Sequence, residues 1–350
     1  MRKIMSISAS FADIIECQTP SWYPLLSAHA PPTMFIPITD QFIAFMEADG
    51  ILLPDGYAAP TFHHHEIEDD RDFLDHRDPD FDDLPNTSEA HRREPVPNTF
   101  PDITHSIDEL FREHDYLVPK LNWSASSSDI WVLNSRSMQC SCTAEVLLLL
   151  KSSDVYANDI LDMMNVLSTL RGENDQLPNP TLCLQQWIDL DEQREFRCFV
   201  RHQQLVGVCQ RYIDRVFAYL QNPAATHNIL RTISSFFVNH VKSVFPLQDY
   251  VFDIHLSETF DTVQLIDFNP YDSNLTDSLL FSWEELQSPP NNLETPFKFI
   301  RAGDNIADFV ASGKRASGMH RFPDEIQDVM NGEGLLEFVD RVSHDMNRHD

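Results

Sequence analysis

The stretch YVFDIHLSETFDTVQLIDFNP, residues 250–270, decides how the rest of the chain is read. Its two flanks, VFDIHL and VQLIDF, are short runs rich in β-branched and aromatic residues, and SETFDT between them is polar. The pattern predicts a β-hairpin. Side chains alternate along a strand, so Asp267 and Asn269 are expected on one face and Ile266 and Phe268 on the other. Asp253, on the partner strand, is expected to lie beside the first pair. Carboxylates held that close repel unless a cation neutralises them, and hard oxygens from Asp and Asn suit Mg²⁺. Asp253, Asp267 and Asn269 are therefore the candidate metal ligands. A half-buried hairpin with one solvated face would give the same short pattern.

Working outward, REFRCFV (residues 194–200) alternates so that Glu195, Arg197 and Phe199 share one strand face and Phe196, Cys198 and Val200 the other. An ion-paired structural strand would look the same. Further strands are expected at 116–119, 130–133, 182–188 and 205–210. A capping box places a helix start at Ser106 with Glu109, and its apolar face carries Ile107, Leu110 and Phe111. A second helix is expected near Thr143, carrying the leucine run. A third spans 227–245, where Ile229, Leu230, Ile233, Phe236, Phe237, Val241 and Val244 follow helical spacing. Separate hairpins and helices in this order indicate an α+β fold. Lys120 is a point cation in a region poor in basic residues, and a phosphate is a natural counter-ion for it. The small, polar run SASSSD behind Trp123 would let backbone amides approach an anion. No GxxxxGK[ST] or GxGxxG occurs, and with only nine glycines in the chain the P-loop and Rossmann readings lack support.

Several blocks occur in order: SWYP (21–24), PKLNWSA (119–125), KSSD (151–154), REFRCFV, YVFDI, LIDFNP and TDSLLFSWEEL (276–286). With the pair Asp49 and Gly50, they closely resemble the eukaryotic cell division cycle protein 123 family. The resemblance implies an ATP-grasp-like, two-lobed fold with nucleotide in the cleft between lobes. It implies binding of ATP with Mg²⁺, and a role as a cytoplasmic, monomeric chaperone in assembling eukaryotic translation initiation factor 2 through its γ subunit. Carried over by position, Asp253, Asp267 and Asn269 would hold Mg²⁺ and Lys120, Asn122 and Ser124 would line the phosphate side. Glu195, Arg197 and Arg211 would fall at nucleotide positions, and Gln185, Gln186 and Ile188 would belong to the adenine-facing hinge. No catalytic residue is implied. The alternative within the same fold is an ATP-dependent carboxylate–amine ligase, for which the sequence shows no acceptor pocket.

Two features depart from the family pattern. Gln185 and Gln186 precede Trp187 where a basic residue is expected, and glutamine hydrogen-bonds without supplying charge. The loop PYDSNLTDS after Asn269 is one residue longer than usual and carries Asp272.

At 350 residues and 42% apolar the chain can bury a sizeable core. Its net charge of −30 argues against nucleic acid or an anionic membrane as partner and favours a basic protein. Ten of the eighteen residues from Glu66 to Asp83 are acidic, which predicts a disordered linker. The expected division is an N-terminal region 1–62, an acidic linker 63–98, lobes at 99–180 and 181–286, a surface insertion 287–319 and a C-terminal segment 320–350. In the first region Trp22, Tyr23, Phe35, Phe42 and Phe45 are expected in the core. Six cysteines without a CxxC predict a reduced cytosolic protein without structural zinc. Neither a signal peptide nor a membrane span is predicted. His63, His64 and His65 sit in the acidic stretch, where adjacent residues on an extended segment seldom make a specific metal site.

Overall fold

The 250–270 stretch folds as the expected hairpin, with Asp253 directly opposite Asp267 across an antiparallel pair. The computed structural model describes residues 7–48, 50–58, 99–125, 130–133, 135, 137–153, 155, 157–287 and 295–306. The expectations for 63–98 and 320–350, for residues 126–129 of the polar run and for most of 287–319 fall outside these residues.

Two sheets organise the described chain. The smaller has β1 (Thr33–Pro37), β2 (Leu117–Lys120) and β3 (Thr181–Gln186), with β3 between the other two and both pairings antiparallel. The larger contains β4 (Glu195–Arg201), β5 (Gln204–Gln210), β6 (Tyr250–Leu256), β7 (Val263–Pro270) and the two-residue β8 (Phe297–Lys298). Its order is β7-β6-β4-β5-β8, antiparallel except where β8 joins β5. Because β3 belongs to the smaller sheet, the chain crosses to the larger one after Gln186. The α+β architecture is the one expected.

Three cores follow from strand alternation. One face of the larger sheet turns Phe196, Cys198 and Val200 into a cluster with Ile229, Ile233 and Phe236 of α7 (Pro223–Phe236), as expected. The opposite face turns Phe199 and Val251 under Leu279, Phe281 and Ile300. The smaller sheet packs Leu182 and Leu184 against α3 (Asp40–Glu47), α4 (Pro101–Glu113) and α5 (Thr143–Ser152). Val146 to Leu150 of α5 are all buried, because a helix apolar all round must be covered on every side. Each of those leucines contributes about 1.5–3 kcal/mol of burial. Lys151, at its end, donates from Nζ to the carbonyls of Phe45, Met46 and Ala48 and caps the C-terminal end of α3.

The N-terminal helices fasten the sheets to each other. In α2 (Thr19–Leu26), Trp22 packs at a tilt against Phe268 of the larger sheet at 5.4 Å between centroids, and Tyr23 meets Phe35 of the smaller at 5.5 Å. Trp22, Phe42 and Phe45 are buried as expected, while Phe35 is exposed. Before it, α1 (Phe11–Glu16) places Ile14 against Leu167 of α6 (Met164–Leu170). The short α8 (Trp283–Gln287) closes the far side.

Three local expectations need correction. The helix expected from Ser106 begins at Pro101, whose fixed φ and missing N–H suit a first turn; Ser106 lies inside it, its hydroxyl donating to the carbonyl of Asp102 at 2.8 Å. Residues 130–133, expected as a strand, form a 3₁₀ turn at Ile130–Val132. The helix expected at 227–245 starts at Pro223, capped by Asn222, and after Phe236 widens into a π turn, Phe237–Val241.

Candidate functional site

A cleft of about 330 Å³ opens between the two sheets. The smaller sheet contributes Lys120 from β2 and Gln185 and Gln186 from β3, and Trp187 and Ile188 follow at the crossing. The larger contributes Glu195, Asp253 and Asp267, and Arg211 just past β5. Eight residues singled out in the sequence thus meet here: Lys120, Gln185, Gln186, Ile188, Glu195, Arg211, Asp253 and Asp267.

Charge gathers around Asp253 and Asp267. Arg197 is buried on β4, in register with Asp253, and clamps it through Nε to Oδ1 at 2.8 Å and Nη2 to Oδ2 at 2.7 Å. Such bidentate, charge-assisted pairs are strong and fix orientation. Nη1 of Arg197 also donates to the carbonyl of Asp277 at 2.8 Å, and Nε of Arg211 lies 3.4 Å from Oδ2 of Asp253. Lys120 reaches across the cleft, its Nζ 3.1 Å from Oδ1 of Asp267. The neutralisation that the paired carboxylates demanded is supplied, in part, by the chain's own cations.

The environments pull the acids apart. Burial alone would raise Asp253, but Arg197 and Arg211 outweigh it and hold the carboxyl below its ordinary range. For Asp267 burial prevails and, with the nearby Asp253 charge, pushes the carboxyl up despite Lys120. Glu195 is pushed up to about 8, chiefly by burial, with Arg211 opposing and Asp253, Glu192 and Asp191 adding to the rise.

Other sequence candidates lie elsewhere. Asn122 is buried away from the cleft; its Nδ2 donates to Oε1 of Gln18 at 2.8 Å and to the carbonyl of Asn179 at 3.1 Å, and its Oδ1 accepts from Thr181 N at 2.8 Å. Ser124 does not line the cleft either. Its amide and that of Trp123 donate to Oδ2 of Asp159 at 3.1 and 2.7 Å, so the amides expected to meet an anion here meet a carboxylate of their own chain. Arg197 stands behind Asp253, outside the lining. Asn269 sits two residues along β7 from Asp267, on the same pleat face, and its buried Nδ2 has no hydrogen-bond partner.

One orientation differs from the alternation. The register shifts between Asp253 and Ile254, which bulges β7 at Ile266 and turns this side chain into the cleft beside Asp267. Ile266 joins an apolar cradle with Val118, Ile130, Met138, Leu190 and Tyr212 that sequence reading missed. Val118 was legible, standing two places before Lys120 on one strand face. Met138 and Tyr212 carry no local signal.

Three candidate groups suit a hard divalent ion: two opposed carboxylates, and an amide whose unsatisfied position would be relieved by a flip presenting Oδ1. The Lys120 and Arg211 charges suit phosphate, and the cradle suits a flat base. Among the described residues no cluster of three or more His, Cys, Asp and Glu forms a metal site. All six cysteines are free, five of them buried. No helix among the described residues is long and apolar enough to cross a membrane.

The sequence matches known proteins along most of its length. The D123 family aligns with residues 22–330. The translation initiation factor eIF2 assembly protein of Botryotinia fuckeliana is 33% identical over 275 residues, 78% of this chain and 64% of that protein. The chain therefore spans less than two thirds of that relative. The eIF2 assembly protein of Vanderwaltozyma polyspora is 29% identical over 350 residues, covering 97% of this chain and 92% of the relative. The solved structure of Cdc123 from Schizosaccharomyces pombe superposes with a TM-score of 0.62 at 25% identity, over 85% of this chain and all of that one. The resemblance carried by PKLNWSA, REFRCFV and LIDFNP holds, and this chain belongs to the D123 family.

Proposed function

We propose that the inter-sheet cleft binds ATP with Mg²⁺, and that the nucleotide-bound protein acts as an assembly factor for eukaryotic translation initiation factor 2 by engaging its γ subunit. The observation that carries the nucleotide reading is the cleft itself, whose lining combines apolar side chains with Lys120 and Arg211 facing Asp253 and Asp267. Asp253, Asp267 and Asn269 would hold the metal, which when bound offsets phosphate charge. Lys120 and Arg211 would meet phosphate oxygens, and Arg197 keeps Asp253 oriented. Gln185 and Gln186 offer hydrogen bonds but no charge, so electrostatic attraction of phosphate rests on Lys120 and Arg211. The names of the relatives from Botryotinia fuckeliana and Vanderwaltozyma polyspora support the assembly role.

Calorimetric titration with Mg²⁺ATP, with and without purified γ subunit, tests both halves. The proposal expects saturable nucleotide binding and a stable complex with the subunit. Absence of heat with nucleotide defeats the first half, and failure to capture the subunit defeats the second.

A further inference from the structure

The acids and bases of the cleft are already paired with one another. Lys120 holds Asp267, and Arg197 and Arg211 hold Asp253. On the nucleotide reading, the two acids belong to the metal and Lys120 and Arg211 to the phosphates. Each set is therefore the internal counter-ion of the other.

That arrangement makes either ligand costly to bind alone. A divalent cation by itself must displace the ammonium of Lys120 from Asp267, leaving a buried charge without its partner. A polyphosphate by itself must draw Lys120 away, leaving Asp267 opposite Asp253 in a largely buried position without its counter-ion. When both arrive, the displaced carboxylates meet the metal and the displaced cations meet the phosphates, and no charge is stranded.

We propose that the Lys120–Asp267 and Arg211–Asp253 pairs are exchanged on binding, so that metal and nucleotide each strengthen the binding of the other in this cleft. The inference rests on the nucleotide reading and adds the coupling to it. By reciprocity, the metal strengthens nucleotide binding by the factor by which nucleotide strengthens metal binding. Because Mg²⁺ and ATP also associate in free solution, the decisive signature lies in variants that remove one internal counter-ion. Asp267→Asn leaves Lys120 with no carboxylate to hold it, so metal-free ATP should bind more tightly than to the wild type, by about tenfold, although Mg²⁺ATP binds more weakly. Lys120→Met is the mirror image: Mg²⁺ alone should bind more tightly, by about tenfold, while nucleotide binding falls.

The test is calorimetry of the full chain and both variants with ATP in EDTA, with Mg²⁺ alone and with Mg²⁺ATP, after circular dichroism has shown each to be folded. A gain for metal-free ATP in Asp267→Asn, matched by a gain for Mg²⁺ in Lys120→Met, supports the exchange. If the wild type binds Mg²⁺ATP but neither variant gains its single ligand, the exchange is overturned and the nucleotide reading survives. If the wild type binds no Mg²⁺ATP, both fall. Should Asp267→Asn fail to fold, the Mg²⁺ titration of Lys120→Met decides alone.

Discussion

Nζ of Lys120 and Oδ1 of Asp267 stand 3.1 Å apart, an ion pair joining the edge of the three-stranded sheet to the edge of the five-stranded one across the cleft. The partners are 147 residues apart in sequence. Both residues line the cleft, so the chemistry of the pair bears on the empty cleft and on the filled one.

Lys120→Ala should weaken Mg²⁺ATP binding by at least about tenfold, a loss of roughly 1.4 kcal/mol, through the lost phosphate contact. Thermal stability of the apo protein should fall, because Asp267 loses its counter-ion in a largely buried position. Parallel calorimetry and thermal melts check this, and an unfolded apo variant would show that the pair is structural.

Glu195 makes stability depend on pH. Its folded-state pKa is about 8 against an ordinary 4.5, so between those values the folded protein holds more protons than the unfolded chain. The Glu195 contribution is therefore fully present below about 4.5 and declines as pH rises through about 8. Glu195→Gln should flatten the fall in melting temperature across this window, while a wild-type curve no steeper than the variant's would count against it.

Asn122→Ala should damage the fold rather than the cleft. It deletes three hydrogen bonds to Gln18, Asn179 and Thr181, in a buried position, and should cost about 2–4 kcal/mol in chemical denaturation. Nucleotide affinity of the folded fraction should stay within about twofold. A large affinity loss with unchanged stability would return Asn122 to the ligand set.

Asp272, in the loop after Asn269, ties down the N-terminal segment. Its Oδ2 accepts from Ser8 N at 2.6 Å, Ser8 Oγ at 2.7 Å and Ala9 N at 3.0 Å. Burial would raise this carboxyl, but these bonds and that from Asn274 lower it. Its stabilisation is thus present at neutral pH and lost as pH falls below its ordinary 3.8. Asp272→Ala should speed hydrogen exchange of residues 8–16 at pH 7, and unchanged exchange there would remove the role.

The division between what could and could not be read from the sequence follows particular residues. Alternation put Glu195, Arg197 and Phe199 on one face and Phe196, Cys198 and Val200 on the other, and the cores sort them that way. It misplaced Ile266, because a bulge adds a residue to one strand without a local signature. The capping pattern at Ser106 was overridden by Pro101, five residues earlier.

By itself, the sequence determined the hairpin, the common face of Asp267 and Asn269 and the opposition of Asp253 to Asp267, because backbone alternation and polar turns act over a few residues. Only the tertiary structure decided which base answers which acid, that Asn122 turns into the fold while Lys120 turns into the cleft, and that Met138 and Tyr212 complete the cradle. Those outcomes depend on the two sheets being held together through the Trp22 and Tyr23 contacts of α2, and the packing of segments more than a hundred residues apart leaves no period in the chain.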